Sequence, residues 1–161
     1  MSIYRPGEPL TVQPAQMPQP APMPPQARLV LETPLRLRRG EHHVGPEDFR
    51  FSDLFSSLLR RVSMLTYFHT DTPLETDFAE LVRRSKAVRL TAADLHWHDW
   101  TRFSSRQQTT MEMGGLLGAV ELDLAGMDPF WPYLWLGQWT HAGKGTSMGL
   151  GKYRIEVAAQ K

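Results

Sequence analysis

Eight of the 13 prolines (Pro6, Pro9, Pro14, Pro18, Pro20, Pro22, Pro24 and Pro25) stand before Arg28, and this asymmetry fixes where a folded domain can begin. Proline lacks an N–H and locks φ, so a stretch that alternates Pro with Gln, Ala and Met favours extended polyproline and closes no core. Residues 1–27 therefore read as a disordered Pro-rich tail or linker, and residues 28–161 as one domain, long enough to bury a core unaided. The chain has no cysteine, which excludes a disulfide framework, a thiolate zinc site, an iron–sulfur cluster and a cysteine nucleophile. No apolar run approaches the roughly 18 residues that cross a bilayer. Residues 1–27 also lack the basic start and apolar centre of a signal peptide, so the expected setting is the cytoplasm, with no membrane partner.

From Arg28 onward the periodicity changes. Leu29, Leu31, Leu35 and Leu37 alternate with Arg28, Arg36 and Arg38, the pattern of a half-buried strand that Pro34 confines to an edge or a bulge. Phe51, Leu54, Phe55, Leu58, Leu59, Val62 and Leu65 recur at three and four, which predicts an amphipathic helix with Asp48 or Ser52 as its cap. A shorter helix is expected over 75–86, then a Trp- and Leu-rich strand over 88–103 that forms a hairpin with a strand over 116–124. Asp128 and Pro129 predict the cap and first position of another helix, which runs to Gly143, and residues 150–157 alternate as a closing strand. The order is that of an α+β, ferredoxin-like (βαββαβ, RRM-like) domain with one extra short helix.

Net charge is only +1, but it is unevenly placed: residues 28–39 and 141–161 each carry a local excess of three positive charges. Inside the second segment lies Gly143-Lys144-Gly145-Thr146-Ser147-Met148-Gly149-Leu150-Gly151. Backbone without Cβ can bring N–H groups against phosphate oxygens, with the Thr146 and Ser147 hydroxyls between them. It is neither a P-loop nor a dinucleotide fingerprint, since it follows a helix and opens a strand. A phosphate here would face the negative end of the preceding helix, so Lys144, Lys152, Arg154 and His141 would have to supply positive charge. The same composition also suits a flexible turn and a bulged strand. Arg102 and Arg106, around Ser104 and Ser105, fit either a nucleic-acid backbone contact or a polar hairpin tip. Among the six histidines, His96 and His98 share a strand face but lack a third ligand, so no metal is expected; His42 and His43 read as exposed loop residues. His141 abuts the glycine run and is the one histidine with a neighbourhood suited to phosphate chemistry, though the same position also suits a plain loop histidine.

Taken together, Thr33-Pro34-Leu35-Arg36-Leu37, the helix over 49–65, Leu95-His96-Trp97, residues 102–107, Met113-Gly114-Gly115-Leu116-Leu117-Gly118, residues 129–137 and 143–153 resemble the C-terminal domain of the CRISPR-associated endoribonuclease family that cuts precursor CRISPR RNA, within the RAMP superfamily. The resemblance implies a prokaryotic protein of antiviral defence that binds precursor CRISPR repeat RNA through Gly143, Gly145, Gly149 and Gly151, with Lys144 on phosphate. It implies cleavage without metal or other cofactor, by attack of a ribose 2′-hydroxyl on the neighbouring phosphate. Such proteins usually carry a first ferredoxin-like domain that supplies the cutting histidine, where this sequence has its proline-rich segment. The expectation is thus an RNA-binding half with His141 as its own catalytic candidate, working with other CRISPR effector subunits or a separately encoded N-terminal half. The alternative is a non-catalytic module that binds RNA or docks on another subunit.

Overall fold

The computed structural model describes residues 20–104 and 108–157. Four strands form one antiparallel sheet: β1 (Gln26–Leu35), β4 (Leu90–His98), β7 (Gly115–Asp123) and β8 (Tyr153–Val157), in the order β4-β7-β1-β8. Between β1 and β4 come a two-residue hairpin, β2 (Arg38–Arg39) with β3 (His42–His43), and helices α1 (Phe51–His69) and α2 (Phe78–Ser85). A second hairpin, β5 (Thr101–Ser104) with β6 (Thr109–Glu112), lies between β4 and β7, and α3 (Trp131–Thr140) between β7 and β8.

The alternation in β1 places Ala27, Leu29, Leu31 and Leu35 in the core, each 5% exposed or less, as strand period two requires. Pro34 falls in a bulge: β1 is central, paired on both sides, and its register with β7 shifts between Leu31 and Leu35. On α1, Phe51, Leu54, Phe55, Leu58, Leu59 and Val62 are buried. Phe51 and Phe55 meet the Phe130 ring at 5.5 and 4.7 Å, and Phe55 meets Tyr133 at 5.5 Å, which seats α3 beside α1. Gly137 of α3 makes room for the buried Tyr153, whose hydroxyl donates to Leu134 O at 2.7 Å. Burial pushes this phenol above its usual range.

Several boundaries differ from the sequence reading. The ordered chain precedes Arg28: the Trp131 indole donates to Ala21 O at 2.8 Å and Leu124 N–H to Pro25 O at 2.9 Å, partners that a buried indole and a strand-end amide require. Residues 1–19 of the expected tail lie outside the described residues. The first helix starts neither at Asp48 nor at Ser52; Arg50 is its N-cap residue, and the Asp53 carboxylate accepts from Arg50 N–H at 3.2 Å. Asp128 and Pro129 do not start α3: Phe130 is the N-cap, held in the core by the α1 aromatics, and Pro132 occupies the first turn. The expected strand over 88–103 breaks after His98, and its second part pairs with β6 instead of β7. Among the described residues no helix is long and apolar enough to cross a membrane.

Candidate functional site

The glycine run links the end of α3 to β8 and is fastened to the bulged end of β1. Gly151 N–H donates to Pro34 O (3.0 Å) and Lys144 N–H to Arg36 O (2.9 Å). The Thr33 hydroxyl donates to Gly149 O (2.8 Å) and accepts from Lys152 N–H (2.9 Å), while Gly143 N–H reaches Ser57 Oγ on α1 (2.7 Å). Two glycines are needed for these approaches: a Cβ at Gly143 would lie 2.6 Å from Arg36 O, and one at Gly151 would lie 1.7 Å from Ala142 O.

The run is thus a built turn whose amides are mostly bonded within the protein. Met148, Gly149 and Leu150 donate to Gly145 O, Thr146 O and Gly145 O. The amides of Gly145, Thr146 and Ser147 have no acceptor among the described residues; they open the 3-10 turn Thr146–Met148, whose preceding Gly145 has φ +78°. Of the expected backbone donors, these three are the ones left without an internal acceptor and so available to a ligand.

The expected cations divide. Lys144 is exposed and without an ion pair among the described residues. Arg102 on β5 reaches the run, with Nη1 3.5 Å from Met148 Sδ, a weak acceptor, and it has no carboxylate partner among the described residues. Arg106 lies outside the described residues. Lys152 and Arg154 instead face Glu32 at 2.8 and 3.1 Å, and Arg154 also pairs with Glu156 at 2.6 Å. Hydrogen bonds from Lys152 first, then Arg154, hold the Glu32 carboxyl below the usual carboxylate range.

His141 caps α3, its N–H donating to Gly137 O at 2.9 Å. Its ring Nδ1 lies 3.2 Å from Leu150 O; a carbonyl only accepts, so Nδ1 carries the proton and Nε2 is the free acceptor of the neutral ring. Its backbone, at φ +60° and ψ 166°, occupies a region that is almost glycine-only. His96 and His98 are exposed on β4, and no cluster of three or more His, Asp or Glu suited to a metal occurs among the described residues.

Sequence reasoning missed the ground beside Lys144. A groove of about 700 Å³ runs between the β2–β3 hairpin, α1 and the glycine run, and carries Arg38, Arg39, Arg60, Arg61 and Lys144 against one carboxylate, Asp53. Asp53 is taken by Arg39 at 2.5 Å, Arg38 is paired with Glu41 at 2.8 Å, and Arg61 Nε donates to Thr140 O at 3.1 Å; Arg60 has no partner among the described residues. The adjacent Arg60 and Arg61 on the polar side of α1 were the available signal, but only the fold brings them to Lys144. His43 is not a bare loop histidine: its Nε2 lies 3.1 Å from Arg36 Nη2, and Arg36 Nη1 donates to Glu112 O.

A family model described as CRISPR-associated endoribonuclease Cas6 matches residues 29–153, from β1 to the first residue of β8. The chain belongs to this family. Among solved structures, a partial Cas6-RT-Cas1–Cas2 complex superposes with a TM-score of 0.62 at 19% identity, over 86% of this chain and 23% of that one. A Cas6 (TTHB231) product complex gives 0.62 at 17% identity, over 84% and 53%. Thermus thermophilus Cas6 (TTHB231) gives 0.61 at 16% identity, over 84% and 55%. The chain thus spans about half the length of these stand-alone Cas6 proteins and shares their fold over that part. No curated protein matches the chain.

Proposed function

We propose that this Cas6 domain binds precursor CRISPR repeat RNA at residues 143–151 and takes part in its metal-free cleavage in the prokaryotic cytoplasm. The observation that carries the reading is the position of Lys144: an unpaired cation between the cationic groove and the free amides of Gly145, Thr146 and Ser147. Arg102 joins from the β5–β6 hairpin, and Arg106 follows it in sequence; Lys152 and Arg154 contribute if RNA phosphate displaces Glu32. The sheet order and the α1–α3 layer support a ferredoxin-like, RRM-like domain. In the reaction the 2′-hydroxyl oxygen attacks the adjacent phosphorus, the 5′-oxygen leaves, and a cyclic phosphate remains. His141 Nε2 suits the proton transfer, its tautomer set by Leu150 O, and Lys144 suits the charge on the phosphoryl oxygens. The partners this implies are repeat RNA and other CRISPR subunits, including a first Cas6 domain encoded with or apart from this one.

A second reading, a docking module without catalysis, is favoured by Trp100, Phe103 and Met111 at and beside the β5–β6 hairpin, which are 40–59% exposed. A gel shift with repeat RNA at two salt concentrations separates the two. Lys144→Ala should weaken binding to different RNAs alike and reduce the salt slope by about 0.7, one single-strand phosphate. Gly145→Val, which sets a branched side chain at φ +78° and against Leu150, should weaken it further. Parent-like binding by both variants would reduce the run to a turn.

A further inference from the structure

We infer that the far end of α1 is a stacking platform for an unpaired stretch of RNA, an extension that rests on the RNA-binding reading above. Ser57, Arg60, Arg61 and Met64 of α1 line the cationic groove. Steps of three and four along a helix stay on one face, so the stripe continues from Met64 to Tyr67 and Phe68. These two rings are 68% and 65% exposed in the last turn of the helix, and Met64 beside them is 49% exposed. Their centroids lie 5.0 Å apart with planes at 89°, an edge-to-face pair in which each ring keeps a face clear of the other. On α3, Trp139 is 55% exposed, one residue before the Thr140 carbonyl that receives Arg61, and its ring lies 5.3 Å from that of Trp135.

The charge along the groove that leads to this patch selects its occupant. Protein-binding patches are depleted of charge at their centre. Here the aromatic end opens directly from a groove lined by five cations, of which Arg39 is paired with Asp53 and Arg38 with Glu41, leaving Arg60, Arg61 and Lys144 without a carboxylate among the described residues. A cationic track that leads to exposed rings is the arrangement that holds single-stranded nucleic acid, phosphates along the track and bases on the rings. The chain leaving the phosphate at Lys144 would pass Arg61 and Arg60 and lay its bases on Tyr67 and Phe68.

The experiment uses the full chain and two probes, a repeat hairpin with and without a single-stranded flank that carries 2-aminopurine. The parent should bind the flanked probe more tightly and quench its fluorescence. Tyr67→Ala and Phe68→Ala should each weaken flanked-probe binding roughly 5- to 150-fold and relieve the quench, while the unflanked hairpin binds as before and Tyr67→Phe behaves like the parent. Both side chains are exposed, so circular dichroism should be unchanged. If the parent binds neither probe, the RNA-binding reading itself fails. If it binds both and the alanine variants keep the flanked probe and the quench, the platform is refuted. A parent dimer that the same substitutions dissociate without change in RNA affinity would assign the patch to a second copy of the chain.

Discussion

His141 offers a test in which the sign of the effect is diagnostic. Its φ of +60° and ψ of 166° fall where a side chain costs about 1–3 kcal/mol, and the residue is held there by its N–H on Gly137 O and its ring on Leu150 O. His141→Ala keeps the strained backbone and loses the ring bond, worth about 0.5–1.5 kcal/mol. His141→Gly loses the same bond but releases the strain, offset by about 0.4–1 kcal/mol from the freer unfolded chain. The glycine variant should therefore be more stable than the alanine variant, by about 1 kcal/mol, the reverse of the usual order. For a chain of this size that is a gap of about 2–4 °C in Tm. Urea titration followed by tryptophan fluorescence reads the same difference independently. An alanine variant equal to or more stable than the glycine one would show that no strain is stored at this position. Any RNA cleavage should fall equally in both variants, because both lack the imidazole.

Gly149→Ala and Gly151→Ala both place Cβ at positive φ, at about 1–2 kcal/mol, but only Gly151 has a carbonyl in the way; its variant should lose about 1–3 kcal/mol more as the bonds to Pro34 and Ala142 break, and equal losses in chemical denaturation would contradict the geometry. Tyr153→Phe should cost about 1–3 kcal/mol by leaving Leu134 O without this buried donor, and an unchanged midpoint would show that the carbonyl is satisfied otherwise. The depressed carboxyl of Glu32 contributes stability that is present above the ordinary Glu value of about 4.3 and is lost as pH falls through its lower folded value. Glu32→Gln should flatten the stability–pH curve in that acid window, and a slope identical to the parent's would remove the linkage. In EDTA the isolated chain should bind repeat RNA yet cleave it slowly or not at all, with residual cutting lost in His141→Ala and kept in His42→Ala; fast cutting that survives His141→Ala moves the site to another residue.

Local pattern alone was enough to place β1 and α1. Leu29, Leu31 and Leu35 alternate, and Phe51 to Val62 recur at helical spacing, because a side chain's face follows from the backbone period of its own element. The sequence also marked the glycine run, Lys144 and the histidine before it, since glycine content and charge are carried by the residues themselves. Asp128 and Pro129 satisfy the local rules for a cap, but the fold starts α3 later by seating Phe130 edge-on against the stacked Phe51 and Phe55. Which loop amides stay free was decided by Pro34, Arg36 and Ser57, acceptors about 86 to 117 positions away in the chain. Besides its neighbour Glu156, Arg154 is held by Glu32, 122 positions away in the chain, so a cation that looks available in sequence is engaged in the sheet. Arg60 and Arg61 became neighbours of Lys144 only when α1 packed beside the end of β1. Hydrogen bonds and ion pairs act over a few ångströms of space, and a sequence orders residues only along the chain; the free donors and the charged groove were therefore set by tertiary packing.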